Sequence, residues 1–344
     1  MKRFTLRGPI AAAPRCVAFV AAVVLCLLSA PVSAQILAVL SDDSAGYKAV
    51  VDELRAGLQP LRDGSVPVES RRIDSVVAAR VADIDAARWS SYELVVTVGL
   101  AAAQTTTPRL NALPGAPPML CLLIPRQGFL KLPLPESAAR RASAVFIDQP
   151  LSRQLDLLRL ALPERLRVGV ILGPSSKELG DEVRGEASKR GLAIASAPVS
   201  ERADIYPVLQ TLIPESDLLL LLPDPVAINA DTVYGLLLTT YRAGVPVIGF
   251  SEGLLNAGAL VSLFSTAQQQ GRQGADIARR VLAHEGALPA AQYPRYFSVR
   301  VNASVARSLG LHVPPQEELQ TALSARAIEA VPGEADQAAP RRQP

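Results

Sequence analysis

The sequence predicts an α/β protein whose strands form parallel, doubly wound sheets. From Gln35 onward, short apolar runs alternate with longer amphipathic runs. The apolar runs are continuous, as in strands covered by helices on both faces, and do not alternate with polar residues as half-exposed strands do. Strand–helix alternation repeated this many times is typical of a doubly wound α/β fold.

The apolar runs predict eleven strands, more than one open sheet of this kind comfortably holds. We therefore predict two similar halves with a break near 148–150. The predicted strands are 36–40, 67–71, 94–98, 119–124, 144–147, 167–172, 192–196, 218–222, 245–250, 259–264 and 297–301. The predicted helices include 47–58, 152–161, 177–190, 229–243 and 268–284.

The first 34 residues have the pattern of a secretory signal peptide. Four basic residues open the chain, an apolar run covers 16–28, and Val-Ser-Ala at 32–34 is a small-residue cleavage signal. The apolar run is shorter than the roughly 20 residues that a spanning helix needs. The residues before Cys26 lack the small side chains of a lipid-attachment site. We therefore expect cleavage after Ala34 and export to the periplasm.

Loss of this segment changes the charge and the cysteine content of the folded protein. Its four charges are all positive, so the formal net charge falls from +3 to −1 for residues 35–344. No strong positive field then remains to hold nucleic acid or an anionic membrane. Cys16 and Cys26 leave with the segment, so Cys121 stands alone and an intrachain disulfide is excluded.

The sequence offers no arrangement typical of catalysis. Neither His284 nor His312 neighbours a nucleophile motif, and two histidines with one cysteine do not make a Cys/His metal cluster. Gly99 is not followed by the Gly-Lys-Ser/Thr ending of a phosphate loop. We predict that the protein is not an enzyme and has no metal site and no cofactor.

The second half carries a series of short motifs whose order resembles a known family. They are Gln149-Pro150, Arg153-Gln154-Leu155, Leu162-Pro163, Val168-Gly169-Val170, Pro174-Ser175-Ser176, Leu222-Pro223-Asp224, the run 246–253, Gly258-Ala259-Leu260, the run 271–274 and Leu309-Gly310-Leu311. Together they resemble bacterial ABC-importer substrate-binding proteins, from the family that includes binders of aromatic amino acids. The resemblance covers about 148–314, and the first half is similar in the order of its strands and helices.

The resemblance implies the type I periplasmic binding protein architecture. Two Rossmann-like lobes would be joined by three hinge crossings, near 147–150, 263–266 and 292–295, and would close around a ligand. Lobe I would comprise 35–148 and about 264–292, and lobe II 149–263 and about 293–313. We expect 314–344 to be a partly disordered C-terminal extension. The implied partners are a small-molecule solute and an ABC importer permease in the inner membrane, and we expect a monomer.

Candidate ligand-binding residues follow from a rule for parallel α/β sheets. Ligands bind beyond the carboxyl ends of the strands, where helix N-termini favour a carboxylate or phosphate. The rule selects Ser41, Asp42, Asp43, Ser44, Gly99, Leu100, Gln104, Thr105, Ser175, Ser176, Asp224, Ser251 and Glu252; Arg126 is added as a carboxylate anchor and Phe250 as the best-placed aromatic residue. Arg126 and the first-lobe loops would hold one end of the ligand, and Ser175, Asp224 and Glu252 the other.

Each candidate also has a purely structural interpretation. Residues 41–44 and 175–176 are suitable helix N-caps. Asp224, which stands between two prolines, fits a simple turn. Glu252 favours the N-terminus of the following helix. Arg126 either anchors a carboxylate in bidentate fashion or is a solvated loop residue.

Two positions expected to face the cleft depart from the family pattern. Leu100 stands where family members usually have a hydroxyl residue after the glycine that ends the third strand. Residues 124–127, Ile-Pro-Arg-Gln, replace an acidic Asp-Pro-type turn. The Thr-lined second loop and the likeness to amino-acid binders indicate an amino acid or another small carboxylate as the ligand.

The sequence leaves the physiological role open between two classes. The leading hypothesis is the solute receptor of an importer; the alternative is a periplasmic sensory adaptor that binds a solute and signals to a membrane receptor without transport. A third possibility is an uncleaved receptor tethered to the inner membrane. A cytoplasmic sugar-type repressor shares the fold but needs a DNA-reading helical domain where this chain has its signal.

Overall fold

The structure, a computed structural model, describes residues 35–59, 66–73, 84–135, 141–283 and 287–329. The predicted signal peptide at 1–34, His284 and the tail 330–344 lie outside the described residues. Within those described ranges, no helix combines the length and the apolarity that a membrane span requires.

The first sheet is parallel and has the strand order β2-β1-β3-β4-β5. Its strands are β1 Ile36–Leu40, β2 Val68–Arg72, β3 Leu94–Val98, β4 Met119–Ile124 and β5 Ala142–Phe146. Its helices are α1 Ala45–Gly57, α2 Ala86–Ser90, α3 Leu100–Asn111 and α4 Arg126–Leu130. Every residue of β1 and β3 is buried, which is why these strands read as continuous apolar runs.

The second sheet has the order β11-β10-β9-β8-β6-β7. Its strands are β6 Arg167–Leu172, β7 Ala193–Pro198, β8 Leu218–Leu220, β9 Val247–Gly249, β10 Val261–Phe264 and β11 Ser298–Val301. The helices of this half are α5 Leu151–Ala161, α6 Gly180–Ser188, α7 Ile205–Leu212, α8 Val233–Arg242, α9 Glu252–Ala257, α10 Ala267–Leu282, α11 Ala303–Ser308 and α12 Gln316–Glu329. Each of the eleven predicted strands is present, four with the predicted bounds and seven with shifted ends.

One strand departs from the predicted parallel arrangement. β11 runs antiparallel to β10, and Phe264 lies opposite Ser298. β10 ends where the chain leaves this sheet, and β11 begins where the chain returns to it. The two strands therefore meet at the same end of the sheet and must run in opposite directions.

Helix α10 follows β10 of the second sheet in sequence but packs on α1 and β4 of the first. Two glycines allow this contact. A Cβ on Gly271 would lie 2.5 Å from the Val50 carbonyl oxygen, and a Cβ on Gly274 would lie 2.6 Å from Leu122 Cδ1. We call the first sheet with α1–α4 and α10 lobe I, and the second sheet with its remaining helices lobe II.

The chain passes between the lobes three times. The first crossing follows β5, the second links β10 to α10, and the third leads into β11. Gln292, just before the third crossing, still bridges to Val145 of β5. The architecture is therefore that of two lobes joined by three crossings, as the sequence predicted.

Helix α12 completes the core of lobe II. Leu319 and Leu323 are buried in the cluster formed by α5 and the second sheet. The Gln320 side chain accepts a hydrogen bond from the Val299 N–H at 2.8 Å and donates one to the Phe297 carbonyl at 3.3 Å. Because β11 is an edge strand, this amide satisfies backbone groups that no neighbouring strand reaches.

Candidate ligand-binding cleft

A cleft with about 220 Å³ of free space lies where the crossings meet the carboxyl ends of both sheets. Pockets for drug-sized ligands have roughly 300–1,000 Å³, so this cleft suits a small solute. Its lining comes from both lobes and the crossings: Arg126, Gln127, Ile147, Asp148, Gln149, Leu151, Gln154, Leu179, Leu222, Pro223, Phe250, Ser251 and Tyr293.

The charged groups of this lining are Arg126 and Asp148, which follow neighbouring strands of lobe I. The Arg126 N–H donates a hydrogen bond to Asp148 Oδ2 at 2.6 Å. Burial raises the pKa of the Asp148 carboxyl above its ordinary value, while the N–H and the positive charge of Arg126 act in the opposite direction. Among the described residues, none accepts a hydrogen bond from the Arg126 guanidinium.

The rest of the cleft is largely apolar. Lobe II contributes Leu222, Pro223 and Phe250 at the ends of its strands. On the other side, the Tyr293 ring meets the buried Phe146 ring edge-on, with centroids 5.6 Å apart. The cleft therefore combines a guanidinium and a carboxyl group with walls suited to an apolar body.

Polar side chains link the chain crossings beside the cleft by hydrogen bonds. Gln149 and Gln154 are nearly buried, and the Gln154 amide donates to the Gln149 carbonyl at 2.9 Å. Arg153 Nη1 donates to Gln149 Oε1 at 2.7 Å and to the Pro294 carbonyl at 2.8 Å. The first and third crossings are thus directly linked.

The predicted residues 41–44 lie outside the cleft lining, and their side chains make local contacts. Ser41 Oγ accepts from the Ala102 N–H at 2.9 Å, at the start of α3. Asp42 Oδ1 accepts from the Ser44 N–H at 2.7 Å. The exposed Asp43 pairs with Lys48 and Arg72, each at 3.0 Å. Ser44 precedes α1 without a side-chain cap.

The second predicted loop also lies outside the lining. Gly99 has a φ of +92°, and a Cβ there would lie 2.5 Å from Ser41 Oγ. Leu100 packs against Gly128 of α4. A Cβ on Gly128 would lie 2.9 Å from Leu100 Cδ1. Gln104 is exposed and Thr105 is half-buried on the following turn of α3.

Asp224 is buried and joins two loops of lobe II. Its Oδ2 accepts from the N–H groups of Ser175 at 2.8 Å and Ser176 at 2.9 Å, and from the Ser176 hydroxyl at 3.0 Å. Its Oδ1 accepts from the N–H groups of Val226 at 3.0 Å and Ala227 at 3.3 Å. The carboxylate therefore holds the loop after β6 against the loop after β8, and neither it nor the two serines lines the cleft.

The loop after β9 does reach the cleft. Phe250 and Ser251 belong to its lining, whereas the exposed Glu252 does not. Ser251 also caps α9, since its hydroxyl accepts from the Leu254 N–H at 3.2 Å. Of the fifteen predicted ligand residues, the structure brings Arg126, Phe250 and Ser251 together around this cleft.

Several lining residues were not predicted. Asp148 directly follows β5, so the strand-end rule that selected the other loops also applies to it. The sequence prediction placed it in the first hinge crossing instead. Ile147 belongs to the same turn. Tyr293 arrives on the third crossing from about 145 residues away, and no local signal marks it.

Comparison with known proteins then decides the family. The sequence profile described as ABC transporter substrate binding protein matches residues 143–323, just over half of the chain. The chain belongs to this family. The family is a class of binding proteins and not of catalysts. None of the curated proteins matches this family member in sequence.

Solved structures agree with the fold of this substrate-binding protein. A ligand-free, open substrate-binding protein with adhesive properties from Clostridium difficile is 17% identical, with a TM-score of 0.68 over 83% of this chain and 97% of that one. An ABC domain from Streptococcus pneumoniae in complex with L-Trp is 16% identical, with a TM-score of 0.55 over 84% and 98%. A conserved domain protein from Vibrio cholerae is 19% identical, with a TM-score of 0.56 over 84% and 98%. At these identities the likeness shows the type I periplasmic binding fold.

Among the described residues, no group of three or more His, Cys, Asp or Glu side chains is placed to hold a metal ion. Cys121 is fully buried in β4, and burial raises the pKa of its thiol to about 12.

Proposed function

We propose that this substrate-binding protein is the solute receptor of an ABC-type importer and binds a small carboxylate, such as an amino acid, in the cleft between its lobes. One observation carries the proposal. The Arg126 guanidinium borders a largely apolar cleft beside the Asp148 carboxylate, and among the described residues it has no hydrogen-bond acceptor. A guanidinium in such a place is suited to bidentate pairing with a carboxylate.

The neighbouring Asp148 carboxyl group indicates which type of ligand the cleft would bind. The guanidinium of Arg126 and the carboxylate of Asp148 lie near each other without forming an ion pair. A zwitterion carries one charge of each sign a few ångströms apart, so its carboxylate would meet Arg126 and its ammonium Asp148. Apolar parts of the ligand would contact Ile147, Leu222 and Phe250.

Closure of the lobes would follow from this placement. Arg126 and Asp148 belong to lobe I, and Phe250 to lobe II. A solute held between them gains its full set of contacts only when the lobes approach, so it favours the closed state by that difference in affinity. The three crossings would serve as the hinge.

The proposed setting is the periplasm. Cleavage after Ala34 would release the protein, which would act as a monomer and deliver its solute to an importer permease in the inner membrane. The family match supports the partner, and the basic start and apolar run of residues 1–34 support the export.

Thermal unfolding of residues 35–344 against amino acids, small organic acids, nucleosides and sugars tests the proposal. A ligand at about 100 times its Kd adds roughly 2.7 kcal/mol of stability, which raises the Tm by several degrees. We expect one class of carboxylates to give this shift. Arg126→Ala should abolish it, and Arg242→Ala, at an exposed arginine on α8, should retain it. A flat panel from well-folded protein would contradict the proposal that the cleft binds a small solute.

A further inference from the structure

Leu123 has a left-handed backbone, with a φ of +51°, the sole positive φ at a non-glycine position in the described part of the chain. It lies in β4, where the pairing with β5 shifts between Leu122 and Ile124. Leu123 is thus the extra residue of a β-bulge. A leucine in this conformation costs free energy and persists only where the surrounding structure holds it, often at functional sites.

The bulge changes which face of the sheet the following residues occupy. Cys121 and Ile124 both pack into the core on the α3 side, whereas Leu122 contacts Gly274 of α10. In a regular strand, residues 122 and 124 would share a face. The bulge therefore turns Ile124, the last residue of β4, onto the face of Cys121.

The same shift decides which residue meets Asp148. In the observed register Ile124 pairs with Phe146, and two residues later the Arg126 N–H reaches the Asp148 carboxylate at 2.6 Å. Without the bulge, Ile124 would pair with Ile147, and Pro125 would lie beside Asp148. Proline has no N–H, so the carboxylate would lose its donor.

We propose that the left-handed bulge at Leu123 is a positioning device that brings Arg126, and not Pro125, to Asp148 in the cleft. Its benefit to ligand binding rests on the proposed function. The register itself is a property of the ligand-free protein and can be tested without a ligand.

The test compares residues that favour and oppose the left-handed conformation. Gly and Asn adopt it readily, whereas a β-branched residue resists it. NMR of the ligand-free protein would follow the Arg126 amide, which a short hydrogen bond to a carboxylate shifts downfield, and the titration of the Asp148 carboxyl carbon. Leu122→Ile is the matched control, because it changes packing in the same strand at a residue outside the bulge.

We expect Leu123→Gly and Leu123→Asn to keep the downfield amide and the wild-type titration midpoint of Asp148. Leu123→Ile should lose the downfield shift and raise the midpoint, because the N–H that favours the ionised carboxylate is gone. Leu122→Ile should lower the Tm without moving either signal. A purely structural role for Leu123 would move the Tm alone.

Two results would overturn the proposal. One is an unchanged Arg126 amide in a Leu123→Ile protein whose residue-123 chemical shifts have become those of extended backbone, which would mean that Arg126 reaches Asp148 without the bulge. The other is loss of the amide shift in Leu123→Gly or Leu123→Asn, which decides the matter even if Leu123→Ile does not fold. A flat ligand panel would instead remove the receptor role and leave these signals as they are.

Discussion

Ser265 Oγ accepts a hydrogen bond from the Gln149 amide at 2.9 Å, and this contact joins the first hinge crossing to the second. The same hydroxyl donates to the Tyr296 carbonyl at 2.7 Å, which brings in the third crossing. The Ser265 side chain therefore links all three crossings of the hinge. Because Gln149 and Ser265 are nearly buried, water does not readily replace either partner.

Ser265→Ala is expected to destabilise the protein by about 1–3 kcal/mol, because it leaves a buried amide and a partly buried carbonyl without this partner. Denaturant unfolding measures the change. Ser262→Ala is the matched control, since its hydroxyl in β10 is buried and, in the described structure, has no hydrogen-bond partner. We expect that control to be neutral or slightly stabilising, because it removes a buried hydroxyl that has no partner to lose. Equal effects in the two variants would contradict a specific role for the Ser265 contacts.

Asp224→Ala is expected to lower the free energy of unfolding by about 2–4 kcal/mol, because several hydrogen bonds to a buried carboxylate are lost together. The sequence placed Asp224 among the residues that would hold the ligand, and the contacts of this carboxylate with both loops indicate a structural role. Asp231→Ala is the control: Asp231 forms an exposed ion pair with Arg202, which is worth at most about 1 kcal/mol. A Tm near wild type in Asp224→Ala, with weaker binding, would restore the direct ligand role.

The Glu69 carboxylate makes the free energy of unfolding depend on pH in the acid range. Burial opposes its ionisation, but hydrogen bonds from Tyr92, Arg88 and Arg71 outweigh burial and lower the pKa to about 2 from 4.5. A carboxyl with a lowered folded-state pKa stabilises the protein above the unfolded pKa, and this contribution is lost as the pH falls towards 2. Glu69→Gln should therefore cost about 2–3 kcal/mol at pH 7 and progressively less below pH 4.5. Urea titrations at several pH values measure this, and a cost that does not change with pH would contradict it.

Cys121 is expected to be unreactive in the native protein. It is 0% exposed in β4, and its pKa is raised to about 12 by burial, so at pH 8 it is neither accessible nor ionised. A thiol-specific reagent should modify it only after unfolding in guanidinium. Rapid modification of the native protein would show that β4 opens at its centre.

The fold was predictable because its signal is local. Strands buried on both faces, such as β1 and β3, produce continuous apolar runs that length and composition identify. The direction of β11 was not predictable in this way. It depends on the chain returning to the second sheet through the third crossing, which is a long-range relation.

The cleft was predictable only in part. The strand-end rule selects Ser251, carboxylate-binding chemistry selects Arg126, and the search for aromatic residues selects Phe250, and all three line the cleft. The rule does not show which strand-end side chains are already used by the protein, as Asp224 is by two loops. Nor does a Leu-Leu-Ile run reveal a bulge at Leu123, because the usual sequence signal of a left-handed backbone is a glycine.

The most direct measurement is a calorimetric titration that separates the ligand's carboxylate from the rest of the molecule. The carboxylate with the largest Tm shift in the panel would be titrated beside its carboxamide, into wild type and into Arg126→Ala. Wild type should bind the carboxylate at least tenfold more tightly than the carboxamide, a difference of about 1.4 kcal/mol or more, and Arg126→Ala should bind the two about equally. Equal affinities in wild type, or an unchanged preference in Arg126→Ala, would contradict the claim that Arg126 receives the carboxylate of the solute.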